Sequence, residues 1–275
     1  MEVCAVSKII GQPKLLAIID SFNKQTLPKT LLFTGPEGCG KHTVVKYLAE
    51  RLDLDVVNID ESVTAEELSS YLFKTIDTMY IIDLNKFSEK AQNQFLKFIE
   101  EPSKSVYVVL IANSEAGILP TVINRCTKYS FEPYTKAELE QIINTTVPDL
   151  AFDIFHTPGK LLNLTTSSFN DLLSLGEKVI SKIGQVSYGN ALVIATRVNY
   201  KDLYSKVDFN LFFDMVEYLA LEDFKKTGSR QSLIVFNITN RYKQRATQAS
   251  LIKEALMYNY LTTLWEAVQN DPNRT

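Results

Sequence analysis

Four short runs of mainly apolar residues punctuate the first half of the chain: Leu31-Leu32-Phe33, Val56-Val57-Asn58-Ile59, Met79-Tyr80-Ile81-Ile82-Asp83 and Val106–Ile111. A short last run, Lys128–Phe131, follows them. The intervals carry apolar residues at helical spacing instead. Gln12–Asn23 presents Leu15, Leu16, Ile18, Ile19 and Phe22 on one side, and the segment after Lys41 presents Val44, Val45, Leu48, Ala49 and Leu52. An acidic helix is predicted over Thr64–Phe73. Another runs over Ser88–Glu101, closed by Pro102, with Ala91, Phe95, Phe98 and Ile99 on one face. Strands alternating with helices predict βαβ units and a parallel sheet. Continuous apolar strands fit a sheet covered on both faces.

After Pro133 the pattern changes. Short helices broken at Pro148 and at Pro158-Gly159 extend to about Ile183, and a break falls at Gly184–Gly189. Beyond it the chain is helical by pattern. Leu211, Phe212, Met215, Tyr218 and Leu219 mark one helix, and Leu251, Ile252, Ala255 and Leu256 mark another running toward Trp265. Asn270–Thr275 reads as a polar, frayed tail. The expected division is an α/β domain over 1–132, a small helical lid over 133–184, and an all-α domain over 185–275.

The first strand runs directly into Gly35-Pro-Glu-Gly-Cys-Gly-Lys-His-Thr43, which fits G-x-x-x-x-G-K and opens a helix. Gly35, Gly38 and Gly40 let backbone N–H groups converge on anionic oxygens, and Lys41 can reach outer phosphates. ATP or ADP is the ligand that such a loop would hold. The hydroxyl due after the lysine is His42, however, and an imidazole does not replace a hard oxygen donor to Mg²⁺. Thr43 does not repair the loss, because the next helical residue points about 100° away. The bland alternative is a Gly-rich turn in an ordinary α/β domain.

Asp83 ends the third strand, where phosphate-loop ATPases keep the acid that orients Mg²⁺. The neighbouring position, where a carboxylate would activate water, is Leu84, which accepts no proton. Two positions of one mechanism therefore lack the oxygen hydrolysis needs. A strand-end turn former is the plain alternative for Asp83.

Composition narrows the classes further. The 275 residues are 45% hydrophobic and 22% charged, ordinary for globular domains, and suffice for two or three cores. Val106–Ala112 is far too short an apolar run to span a bilayer, and the N-terminus has no signal pattern, so a cytoplasmic location is expected. A net charge of −3 argues against a dominant nucleic-acid face. Cys4, Cys39 and Cys126 form no C-x-x-C pair, so neither zinc nor a disulfide framework is expected. Cys39 and Cys126 read as small buried apolar residues rather than reactive thiols. His42 and His156 are too isolated to suggest a metal. Asn240–Arg245 reads as a solvated basic helix face rather than a DNA contact.

Five segments fall in a recognisable order: Ile10-Gly11-Gln12, Leu32–Pro36, Ile82-Asp83, Ala91–Pro102 and Leu119–Cys126. Together they resemble the AAA+ clamp-loader subunits of bacterial DNA polymerase III, with the three-domain plan of that family. The resemblance implies an AAA+ phosphate-loop domain, a lid and a helical collar. It implies that Lys41 is the phosphate-loop lysine and Asp83 the Mg²⁺-side acid. Asn113 would be the sensor-1 residue, and Lys160 would stand near the sensor-2 arginine. Arg125 matches the arginine of the Ser-Arg-Cys motif, which reaches a neighbouring subunit's ATP site; Asn124 replaces the serine.

The resemblance further implies partners of gamma/tau-like and delta-like type, with the sliding clamp and primed DNA reached through the complex, rather than a homo-oligomer. No cysteine lies between Lys41 and Asp83, so the four-cysteine zinc module of many relatives is absent. Leu84 and His42 favour a non-hydrolysing subunit, and the chain is not expected to carry a tau-like extension. The rival readings are a gamma-like ATPase motor that tolerates His42, and a monomeric nucleotide-sensing AAA+ protein outside replication.

Overall fold

The computed structural model describes residues 9–71, 75–144, 146–162, 164–185, 209–246 and 253–271. Cys4, Phe73, most of the 184–189 break, Leu251, Ile252 and the end of the tail lie outside them. Contacts gather the described residues into two compact units. One holds residues up to Asn144 together with His156–Gly159; the other holds the remainder.

The first unit is built on five strands: β1 (Thr30–Thr34), β2 (Asp55–Ile59), β3 (Thr78–Asp83), β4 (Val106–Ala112) and β5 (Thr127–Ser130). They form one sheet in the order β2-β3-β4-β1-β5, and every pairing is parallel. Successive side chains of a strand face opposite sides, so each central strand feeds two cores. Leu31, Phe33, Met79, Ile81, Tyr107, Val109 and Ile111 enter one cluster with α1 (Pro13–Ser21) and α2 (Lys41–Arg51). Leu32, Tyr80, Ile82, Val106, Val108, Leu110 and Ala112 enter the other, with Phe95, Phe98 and Ile99. That double demand is why these strands read as continuous apolar runs. The outer strands differ: β2 and β5 are largely exposed, as edge strands with one neighbour can be.

The acidic helix is α3 (Ala65–Tyr71), and Thr64 caps it reciprocally with Glu67. The helix expected over Ser88–Glu101 is broken. It comprises α4 (Glu89–Gln92), a tight 3₁₀ turn over Asn93–Phe95, and α5 (Leu96–Glu100). At the break the buried Gln92 amide donates to Gly117 O and accepts from Leu119 N, at 2.8 and 3.0 Å. Phe95 is fully buried there against Phe87. Gln92 immediately precedes the tightened turn and Phe95 is its last residue. Periodicity reports neither contact.

After β4 come α6 (Pro120–Ile123), β5 and α7 (Lys136–Ile142), the last opened by a Thr135–Glu138 capping box. Near the N-terminus, Gln12 takes a left-handed backbone, φ 57°. Its side-chain amide grips Glu132 on both sides, donating to Glu132 O at 2.7 Å and accepting from Glu132 N at 2.8 Å. The Ile10-Gly11-Gln12 segment is thereby pinned to the end of the sheet.

The second unit is helical. It contains α8 (Asp149–Ile154), α10 (Thr166–Lys182), α11 (Phe209–Thr227), α12 (Arg230–Ala246) and α13 (Lys253–Gln269); α9 (Pro158–Leu161) begins where the first unit ends. At 17 residues, α10 is longer than the short helices expected before Ile183. Gly176 lets α10 approach α11, since a Cβ there would meet Leu219 Cδ1 at 2.8 Å. Phe212, Phe213 and Tyr260 form a fully buried aromatic cluster, and Tyr260 shares a 2.8 Å hydrogen bond with Thr239. No helix of the described residues is long and apolar enough to cross a membrane.

Candidate functional site

The register of the sheet aligns the carboxyl ends of three strands. Thr34 of β1 pairs with Ala112 of β4, and Asp83 of β3 pairs with Ile111. The Gly-rich loop leaves β1 at that edge, where open parallel sheets bind ligands. Gly38 and Gly40 have φ of +78° and +93°, conformations that side-chain-bearing residues rarely adopt. Lys41 opens α2 and is buried. Its Nζ donates to Gly35 O at 2.5 Å and to Pro36 O at 2.8 Å, and reaches Asn113 Oδ1 at 3.4 Å. Desolvation lowers its pKa, opposed in part by the charge of Asp83.

Asp83 and Asn113 are brought together through Asn85. The Asp83 carboxylate accepts from Asn85 N at 3.1 Å and from Asn85 Nδ2 at 2.6 Å, and Asn85 Oδ1 accepts from Asn113 N at 2.9 Å. Lys41, Asn113, Asn85 and Asp83 thus form one polar chain across the strand ends. Asp83 also caps the short 3₁₀ turn Leu84–Lys86, so the turn-forming role and the site position coincide. Leu84 is 3% exposed and packs in the second core cluster. His42 and Thr43 lie on the exposed side of the first turn of α2. Desolvation lowers the His42 pKa, against the pull of Asp83.

The backbone of the loop is held from a distance. Three successive carbonyls, Glu37, Gly38 and Cys39, accept from Thr157 Oγ1 (2.9 Å), Gly159 N (2.8 Å) and Tyr134 Oη (2.9 Å). These partners lie more than ninety residues along the chain. The residues present suit a phosphate group, with glycine backbone, a helix start and Lys41 converging. They supply no hydroxyl beside Lys41 to hold a magnesium ion. Cys39 and Cys126 are buried or half-buried thiols whose pKa values burial raises, Cys126 to about 12.

Lys160 lies in the helical unit, where its Nζ sits 2.6 Å from Asp214 Oδ2. The buried Asp214 also pairs with Lys243 at 2.8 Å. Arg125 follows α6 on the surface of the first unit. Its Nε donates to Glu100 Oε1 at 2.6 Å and its Nη1 to Thr121 O at 2.6 Å. Asn85, Tyr134 and Thr157 were not singled out by the pattern of the chain. The Asp83-x-Asn85 spacing is an Asx-turn signal that could have found the first. Nothing local announces the other two, whose partners are far away in sequence.

The family model described as "DNA polymerase III, delta subunit" matches residues 56–135. The chain is similar both to a bacterial DNA polymerase III subunit and to replication factor C subunits. In particular it resembles DNA polymerase III subunit delta' of Bacillus subtilis, at 23% identity over 87% of this chain and 85% of that one. Replication factor C subunit 3 of Saccharomyces cerevisiae is 23% identical over 50% of this chain and 46% of its own. A gamma subunit-related protein of DNA polymerase III from Thermotoga maritima aligns at TM-score 0.48 and 16% identity, covering 93% of this chain and 99% of that one.

Proposed function

We propose that this chain is a non-hydrolysing, delta-prime-like subunit of a clamp loader, assisting ATP-dependent loading of a sliding clamp on primed DNA. The observation that carries the reading is Leu84. It is buried directly after Asp83, at the place where a hydrolysing site needs a carboxylate to activate water. His42 in place of a hydroxyl supports it. In this reading the Gly-rich loop and Lys41 hold ATP or ADP without turning it over, and the helical region from 185 onward is the collar that joins the ring. Asn113 serves as the sensor-1 residue and Lys160 stands near the sensor-2 position. The partners are gamma/tau-like and delta-like subunits, and the clamp and DNA are met through the complex.

Arg125 is the residue the chain contributes to a neighbour's ATP site. A guanidinium delivered in trans stabilises charge on the transferring phosphoryl group. The likeness to delta' and replication factor C supports the partner class. The isolated chain should show no steady ATP hydrolysis above background, and gamma- and delta-like subunits should co-purify with it at physiological salt. Turnover of about 1 s⁻¹ by the isolated chain would favour a motor subunit instead. A chain that stays monomeric among those subunits would favour the nucleotide-sensing alternative.

A further inference from the structure

We propose that Glu100 is the positioning residue for Arg125, fixing the guanidinium so that its terminal nitrogens face outward for the neighbour's phosphoryl group. The inference rests on the reading of Arg125 as a residue that acts in trans. Its physical basis is the way the five N–H bonds of Arg125 are distributed. Nε donates to Glu100 Oε1 at 2.6 Å, and Nη2 pairs with the same oxygen. Nη1 donates to Thr121 O at 2.6 Å. One N–H on each terminal nitrogen is left over. Such terminal N–H bonds are what a pair of phosphoryl oxygens accepts. Glu100 takes the Nε edge instead.

Both ends of the pair stand on anchored backbone. Glu100 closes α5, whose Phe98 and Ile99 are each 2% exposed. Arg125 N donates to Val122 O at 3.1 Å, and Val122 is fully buried. The side chains themselves remain solvent-accessible, 35% for Arg125 and 44% for Glu100. Exposed ion pairs contribute little to folding, so the fold does not require this one. A free arginine side chain samples many rotamers, and a site that needs one of them benefits when that choice is made in advance.

The test is the clamp loader reconstituted from this chain and its partner subunits, assayed for clamp- and DNA-stimulated ATPase. Glu100→Ala should leave assembly and thermal unfolding unchanged and lower turnover at the one ATP site that Arg125 serves by about 3- to 10-fold, the scale of one immobilised side chain. The KM for ATP should hold, because an arginine that stabilises transition-state charge acts on kcat. Glu100→Gln keeps an acceptor oxygen for Nε–H and should recover part of the loss. In an Arg125→Ala background, Glu100→Ala should cost nothing more, since it acts only through the arginine. If Arg125→Ala lowers the rate while Glu100→Ala leaves it intact or raises it, this inference fails and the reading of Arg125 survives. A Glu100→Ala loss that persists without Arg125 also overturns it. A silent Arg125→Ala overturns the reading of Arg125 and this inference with it.

Discussion

The amide of Gly159 donates to the carbonyl of Gly38 across 2.8 Å, so two glycines 121 positions apart lie backbone to backbone. A Cβ on Gly159 would stand 2.6 Å from Gly38 Cα, closer than non-bonded carbons tolerate. The phosphate loop is thus shaped by a segment far along the chain as well as by its own glycines. Gly159→Ala should destabilise the protein by about 1–3 kcal/mol, the usual cost of overpacking. Urea denaturation measures it, and an unchanged midpoint would show that the loop yields freely.

Thr157 makes the neighbouring contact, donating to Glu37 O at 2.9 Å while only 4% exposed. Thr157→Val keeps the shape and removes the donor, so the Glu37 carbonyl loses this partner. The expected cost is about 0.5–1.5 kcal/mol, smaller for Thr157→Ser, which keeps the hydroxyl. Equal losses for Val and Ser would place the contribution in packing instead.

Much of the first unit was legible in the sequence because each central strand serves two cores. The runs at Leu31, Met79 and Val106 had no polar alternation to confuse them with amphipathic helices. The loop, Lys41 and Asp83 were readable because local spacing fixes where a strand end and a helix start must fall; Asn113 was marked only by the family resemblance, and the structure sets it beside Lys41 and Asn85. What escaped is long-range. The break between α4 and α5 depends on Gln92 reaching Gly117 and Leu119. The tethering of the loop depends on Tyr134, Thr157 and Gly159. The pairing of Arg125 with Glu100 joins two motifs that were each visible alone. The ion pair of Lys160 with Asp214 likewise joins residues 54 apart, beyond any periodic signal.

The thiols should be quiet. Burial pushes Cys126 from 9.0 to about 12 and raises Cys39 as well, so both remain protonated at pH 8. In the native protein these two should react with iodoacetamide only as fast as the chain opens, and react promptly in guanidinium. The sign for stability follows. The unfolded thiols ionise near pH 9 while folded Cys126 stays protonated, so stability is full below about pH 9 and declines as pH rises toward 12. Rapid native labelling of Cys126 at pH 8 would contradict this environment.

Restoring one lost group should not restore hydrolysis. His42→Thr changes an exposed residue, so stability should stay within about 0.5 kcal/mol, and the chain should still not turn over ATP because Leu84 remains. Leu84→Glu introduces a carboxylate into a position 3% exposed and should destabilise by about 2–5 kcal/mol. Phosphate release by the single His42→Thr variant would show that the hydroxyl alone had been missing.

The division of labour between Arg125 and Lys41 is the central claim, and one comparison tests it directly. The complete clamp loader is assembled with Arg125→Ala or with Lys41→Ala, and clamp-stimulated ATPase and clamp loading are measured for each. Arg125→Ala should assemble and markedly lower both, because one ATP site loses a stabilising cation worth about 10³–10⁵ in rate where such arginines have been removed or supplied in GTPases, while the other sites continue. Arg125→Lys should rescue only partly, since the charge returns without the planar fork. Lys41→Ala should do much less, because in the proposed role this chain's own loop does not fire. If Lys41→Ala abolishes loading while Arg125→Ala is silent, the roles are reversed and the chain is itself a motor.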